Sequence, residues 1–97
     1  MKLRFTTRAA QDLAGIADYI RAHRPVAAAQ VRTAILHSLQ NLVSFPRVGR
    51  AQTVEGVRKL VVRKYSYLVY YTVDEIAEEI IVLTIQHPAR EREHQDA

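Results

Sequence analysis

Two residues near the end of this chain, His87 and Arg90, have the types and spacing that proton-transfer chemistry on a phosphate ester needs. Histidine titrates near neutral pH and can act as acid or base. A guanidinium beside it can stabilise the charge that builds on a phosphoryl oxygen. The pair also reads as two hydrogen-bonding side chains at the end of a strand, and by itself does not specify catalysis. Upstream, Arg58-Lys59 and Arg63-Lys64 flank the apolar run that holds Leu60. Arg58 has the parity of Leu60 and Val62, which leaves it either paired to an acid or aimed across an open sheet face. Tyr65, Tyr67 and Tyr71 share strand parity with Val69, while Leu68 and Tyr70 point the other way. Their rings serve either cross-strand pairing or stacking on a base or a partner side chain.

The remaining chemistry is sparse. The chain has no cysteine, which argues against a disulfide scaffold or a thiolate metal site. His23, His37 and His94 fall on helix surfaces, linker or tail, without metal-ligand spacing. No glycine-rich phosphate loop, nucleophile elbow or HExxH string occurs. No cofactor is implied. Charge is placed unevenly: residues 1–73 hold twelve Lys/Arg against three acids, and residues 74–97 hold two against seven, for an overall +4. Arginine outnumbers lysine eleven to three, which favours forked recognition of carboxylate or phosphate or reflects codon usage. An anionic or acidic partner follows from this surface, and a plain nucleic-acid-binding module is one reading of it.

The elements that must position these residues are legible from periodicity. Ninety-seven residues suffice for one domain, 1–97, with a small core. The start lacks a signal-peptide apolar run, and no segment reaches the ~20 apolar residues of a membrane span, so a cytoplasmic protein is expected. Lys2–Phe5 alternates as a short strand, and Thr6 or Thr7 can cap a following helix. Leu13, Ile16, Ala17 and Ile20 form its buried stripe. Gly15 costs that helix about 1 kcal/mol relative to alanine, and reads as a mark of close helix packing. Pro25 opens a second helix over about 26–45, with Ala28, Val31, Ile35, Leu39 and Leu42 inward. Phe45-Pro46 stops it. Arg47 to Gly56 reads as a polar loop. Val57–Arg63, Tyr65–Val73 and Glu79–His87 then alternate as an antiparallel meander. The order βααβββ predicts an α+β fold: a helical hairpin on one face of a small, mainly antiparallel four-stranded sheet, with the other face open. The polar tail 91–97 is expected to fray.

In this order the strings Ala10-x-x-Leu13-x-x-Ile16-x-x-Tyr19-Ile20, Leu42-x-x-Phe45-Pro46-x-x-Gly49-Arg50, Val57-Arg58-x-Leu60, Tyr65-x-Tyr67-Leu68-Val69-Tyr70-Tyr71 and His87-Pro88-Ala89-Arg90 resemble the RelE/ParE toxin superfamily, over residues 5–90. The resemblance implies the toxin of a type II toxin–antitoxin system of the plasmid-stabilization kind. It would be neutralised in a hetero-oligomer by a cognate antitoxin with an acidic C-terminal segment and a ribbon-helix-helix N-terminal domain. RelE-like members are ribosome-dependent messenger endoribonucleases, which use several Lys/Arg in the sheet groove and a late Tyr or His. ParE-like members keep the fold and inhibit DNA gyrase. Arg58 and Arg90 match basic positions of the RelE-like pattern. Leu60 stands where that pattern keeps a lysine and Tyr67 where it keeps an arginine, and no tyrosine follows Arg90. Only His87 is left to move a proton. The ParE-like branch fits better: a binder rather than a catalyst, with Arg58, Leu60, Arg63, Tyr65, Tyr67, Tyr71, His87 and Arg90 as its contact set. Under the ribonuclease alternative, Arg58, His87 and Arg90 are catalytic.

Overall fold

The computed structural model describes residues 1–87. A strand β1 (Lys2–Phe5) leads into helices α1 (Thr7–His23) and α2 (Pro25–Ser44). Four further strands follow: β2 (Arg50–Ala51), β3 (Val57–Val61), β4 (Leu68–Asp74) and β5 (Glu79–Gln86). They form one sheet in the order β1-β5-β4-β3-β2, parallel between β1 and β5 and antiparallel elsewhere. The α+β architecture is as expected, but the sheet has five strands rather than four. The added strand comes from the supposed loop: Arg50 and Ala51 pair with Lys59 and Arg58. Two residues are too few to show a period of two, so sequence alternation could not find them.

Helix boundaries follow local chemistry. Thr6 takes an extended conformation and its hydroxyl accepts from the Ala9 amide, which closes one orphan donor of α1. The same hydroxyl donates to the Leu83 carbonyl (2.8 Å), tying the cap to the sheet. Arg24 alone separates the two helices, with Pro25 in the first turn of α2 where its missing N–H is harmless. Val31, Ile35, Leu39 and Leu42 of α2 meet Val69, Tyr71, Ile80, Val82 and Ile85 of the sheet, and all are buried. Direct cross-strand partners share a face, so Leu60, Val69 and Ile85, and likewise Arg58, Tyr71 and Val82, lie on the helix side.

Two irregularities shape the far end of the sheet. The β3–β4 hairpin is shorter than expected, because Tyr65 and Ser66 both have positive φ (72° and 59°). They form a turn and leave Leu68 as the start of β4. The β4–β5 register slips after Tyr70, which pairs with Thr84, whereas Tyr71 pairs with Val82. Leu83 is the extra residue of this β-bulge, and its carbonyl is the one the Thr6 hydroxyl satisfies.

Candidate functional site

Arg58 and Tyr71, both singled out from the sequence, are cross-strand partners and share one task. The Arg58 guanidinium donates through Nη1 to the carbonyls of Gly49 (2.8 Å) and Arg47 (3.2 Å). The Tyr71 hydroxyl donates to the Pro46 carbonyl and accepts from the Gly49 amide, each at 2.8 Å. Together they fasten the loop between α2 and β2. Gly49 is required there, because a Cβ would lie 2.5 Å from the tyrosine hydroxyl. Arg58 therefore takes neither role read from its parity; its guanidinium is turned onto the loop. Tyr71 is fully buried, so its ring offers a partner no surface. Burial pushes its pKa up, against the lowering effects of the Gly49 hydrogen bond and of Arg58.

The other tyrosines divide. Tyr65 lies half out of the hairpin turn, and its hydroxyl donates to Gln30 Oε1 of α2 at 3.2 Å. The Lys64 ammonium stands 5.4 Å from its ring centroid. Arg63 is an exposed turn residue and Leu60 packs against the core. Tyr67 is buried but for its rim, and meets His87 edge to face: the ring centroids lie 5.5 Å apart at an interplanar angle of 80°. Burial raises the Tyr67 pKa first, and the nearby Tyr19 hydroxyl adds to the effect.

Tyr67 and His87 line a cavity of about 600 Å³ between α1 and the ends of β4 and β5. Its other walls are Gln11, Asp12, Gly15, Ile16 and Tyr19 of α1 and Ile85 of β5. Asp12 Oδ2 accepts from the Thr84 hydroxyl (2.6 Å) and the Ile85 amide (3.0 Å), so the carboxylate is fixed where the β5 bulge frees an amide. Sequence reasoning gave Asp12 no role beyond lying off the buried stripe, placed Tyr19 only in the family-like helix string, and missed this convergence. The signal lay in α1 itself: Gln11, Gly15 and Tyr19 recur at intervals of four, on a second face. Gly15 does not mark helix packing either, since nothing lies within 4 Å of where its Cβ would be. Arg90, the remaining candidate, and the tail 91–97 lie outside the described residues.

A second cavity, of about 370 Å³, opens on the helical hairpin. Leu13, Ala14, Ala17 and Ile20 of α1 and Ala28 and Val31 of α2 line it, with Arg21 and Arg32 among its walls. Among the described residues no group of acidic or histidine side chains can hold a metal ion, and no helix is long and apolar enough to cross a membrane.

Comparison with known proteins matches residues 3–92 to the ParE toxin of the type II toxin–antitoxin system parDE. A curated relative, Toxin RelE2 of Caulobacter vibrioides, is 33% identical over 86 residues, which are 89% of this chain and 93% of that protein. Among solved structures, a chain of the chromosomal ParDE TA system from P. aeruginosa superposes with a TM-score of 0.77 at 29% identity, covering 90% of this chain and 95% of that one. A chain of the toxin–antitoxin complex RelBE2 from Mycobacterium tuberculosis gives 0.61 at 26% identity, over 89% and 95% of the two chains. The intact E. coli RelBE complex supplies a chain with a TM-score of 0.69 at 17% identity, over 89% and 94%, a likeness of fold.

Proposed function

This chain belongs to the ParE toxin family of type II toxin–antitoxin systems, within the RelE/ParE superfamily, and from that premise we propose that it acts as a ParE-like inhibitor of DNA gyrase, by binding rather than by cutting RNA. The observation that carries this reading is the Arg58 guanidinium, which is turned onto the Arg47 and Gly49 carbonyls. In-line attack by a ribose 2′-OH needs a base, an acid and free cations to stabilise the phosphorane. Of four positions that the ribonuclease pattern fills with cations, one is committed to a loop, one is Leu60 against the core, one is the ring of Tyr67, and the fourth, Arg90, lies outside the described residues.

The ribonuclease reading has one observation in its favour: Tyr67, His87 and Asp12 converge on one cavity, so two proton-moving groups stand beside a fixed carboxylate. The two readings separate in one paired experiment. Purified gyrase should lose supercoiling activity, or accumulate cleaved DNA, at micromolar protein. Translating extracts should show no codon-phased messenger cuts by primer extension. Untouched supercoiling together with phased cuts that vanish in His87→Ala overturns the proposal.

The antitoxin reading has support of a different kind. The cavity on the helical hairpin is lined with alanines and aliphatic side chains and bordered by Arg21 and Arg32. An amphipathic segment with an acidic rim, ordering as it binds, suits such a cleft. The solved neighbours from P. aeruginosa and M. tuberculosis are chains of a TA system and of a toxin–antitoxin complex. A cytoplasmic site of action, where an antitoxin and gyrase would be met, completes the proposal.

A further inference from the structure

We infer that the cavity between α1 and the ends of β4 and β5 is a receptor for a single guanidinium group, the side chain of an arginine on a partner protein. Four observations carry this, and none depends on gyrase being the target. First, among the described residues the polar groups lining the cavity carry one formal negative charge, on Asp12, and neither lysine nor arginine is among its walls. In a chain of net charge +4, such a pocket is a local exception. Second, Asp12 accepts on Oδ2 from Thr84 and Ile85 and has no cationic partner among the described residues, while those two bonds fix its orientation. A carboxylate held this way is preorganised for a charge-assisted bond. Third, Tyr19, Tyr67 and His87 surround the same space, and the faces of the two tyrosine rings attract cations. Tyr67 and His87 stand at 80° to each other, so they form two sides of a cage rather than a parallel slot for a flat base. Among the described residues a phosphate would meet a carboxylate and no cation.

Fourth, Gly15 forms a notch on α1, one turn from both Gln11 and Tyr19. It weakens the helix by about 1 kcal/mol relative to alanine, yet no neighbour needs the space it leaves. The room serves the cavity. A guanidinium suits this geometry better than an ammonium, because it is planar, stacks on rings and presents a fork of donors to the carboxylate and to the Gln11 amide oxygen.

The test is an NMR titration of the full-length 15N-labelled protein with Nα-acetyl-arginine amide. The matching lysine and glutamate amides and guanosine monophosphate are titrated in parallel. The arginine derivative should saturate shifts at Gly15, Tyr19 and His87 with a dissociation constant of about 1–10 mM, as expected for one anchored side chain without its protein. Asp12→Asn keeps acceptors for Thr84 and Ile85 but loses the charge, and should weaken binding about tenfold or more. Gly15→Leu should abolish saturable binding while raising the melting temperature, so loss of binding cannot be put down to loss of fold. The inference is overturned if the arginine derivative shows no saturation, or if lysine or glutamate derivatives bind as tightly. It is equally overturned if Gly15→Leu leaves binding intact, or if the nucleotide saturates these residues in place of arginine, which would assign the cavity to nucleic acid.

Discussion

The hydroxyl of Tyr71 sits between a donor and an acceptor of one loop, so deleting it strands both the Gly49 N–H and the Pro46 carbonyl in a buried place. An unmet buried polar group costs about 1–3 kcal/mol. Tyr71→Phe is therefore expected to lower the unfolding free energy by at least about 1 kcal/mol, measured by urea denaturation. Gly49→Ala should be as damaging by a different route. Its new methyl would lie 2.6 Å from Tyr71 Cε1 as well as 2.5 Å from the hydroxyl, so removing the hydroxyl does not relieve the clash. Both changes keeping wild-type stability would show that the loop is not fastened as described. The alkaline limb of stability carries the same information. The Tyr71 pKa is raised above the ordinary 10.0, so the neutral phenol is favoured in the folded state. Its contribution is fully present below pH 10 and is lost as pH rises past the unfolded value toward the folded one. Tyr71→Phe should flatten that decline. The sequence pattern marked Gly49 and Tyr71 as members of separate motifs, and their pairing is a contact 22 residues apart that no local period encodes.

At the scale of elements, what the sequence made legible was whatever repeats. Apolar stripes on two helices and alternation on four strands gave their identity, and Thr6 and Pro25 gave the helix starts. What it hid were irregularities: the short β2, the bulge at Leu83 and the left-handed turn at Tyr65-Ser66. The bulge and the turn each replace a repeat by a side-chain bond from elsewhere in the chain, and the candidate cavity owes its shape to both. The bulge turns the Ile85 amide toward Asp12, and the hairpin turn lets Tyr67 rather than Tyr65 take the place facing α1. The turn itself is strained, since a non-glycine residue with φ near +60° is costly by about 1–2 kcal/mol. Tyr65 is held there by its bond to Gln30, but for Ser66 no side-chain bond is found among the described residues. Ser66→Gly should therefore stabilise the protein by about 0.5–1 kcal/mol, after deducting the freedom glycine adds to the unfolded chain. A thermal melt checks it, and a fall in melting temperature would mean that the serine side chain supports the turn.

For the molecule as a whole, α1 is the dividing wall between two unlike recesses. Leu13, Ala14, Ala17 and Ile20 face the apolar cleft shared with α2, and Gln11, Gly15 and Tyr19 face the polar cavity shared with the sheet; only Ile16 lines both. The cleft carries arginines at its border and the cavity carries a carboxylate, so their charges suit the opposite partners proposed above: an amphipathic acidic segment for one, a cation for the other. If neutralisation works through the cleft and toxicity through other surfaces, a change in the cleft should separate them. Ala14 is exposed and lines the cleft, so Ala14→Glu adds bulk and negative charge there without touching the core. Stability should stay within about 0.5 kcal/mol of wild type, as for most surface substitutions. Growth arrest on induction should persist, while co-expression of the cognate antitoxin should no longer rescue it, and calorimetry should show antitoxin affinity reduced about tenfold or more. Full rescue of the Ala14→Glu strain would place the neutralising contact elsewhere. Loss of toxicity with intact folding would show that the hairpin cleft also serves the target, so that antitoxin and target compete for one surface rather than act across the wall that α1 provides.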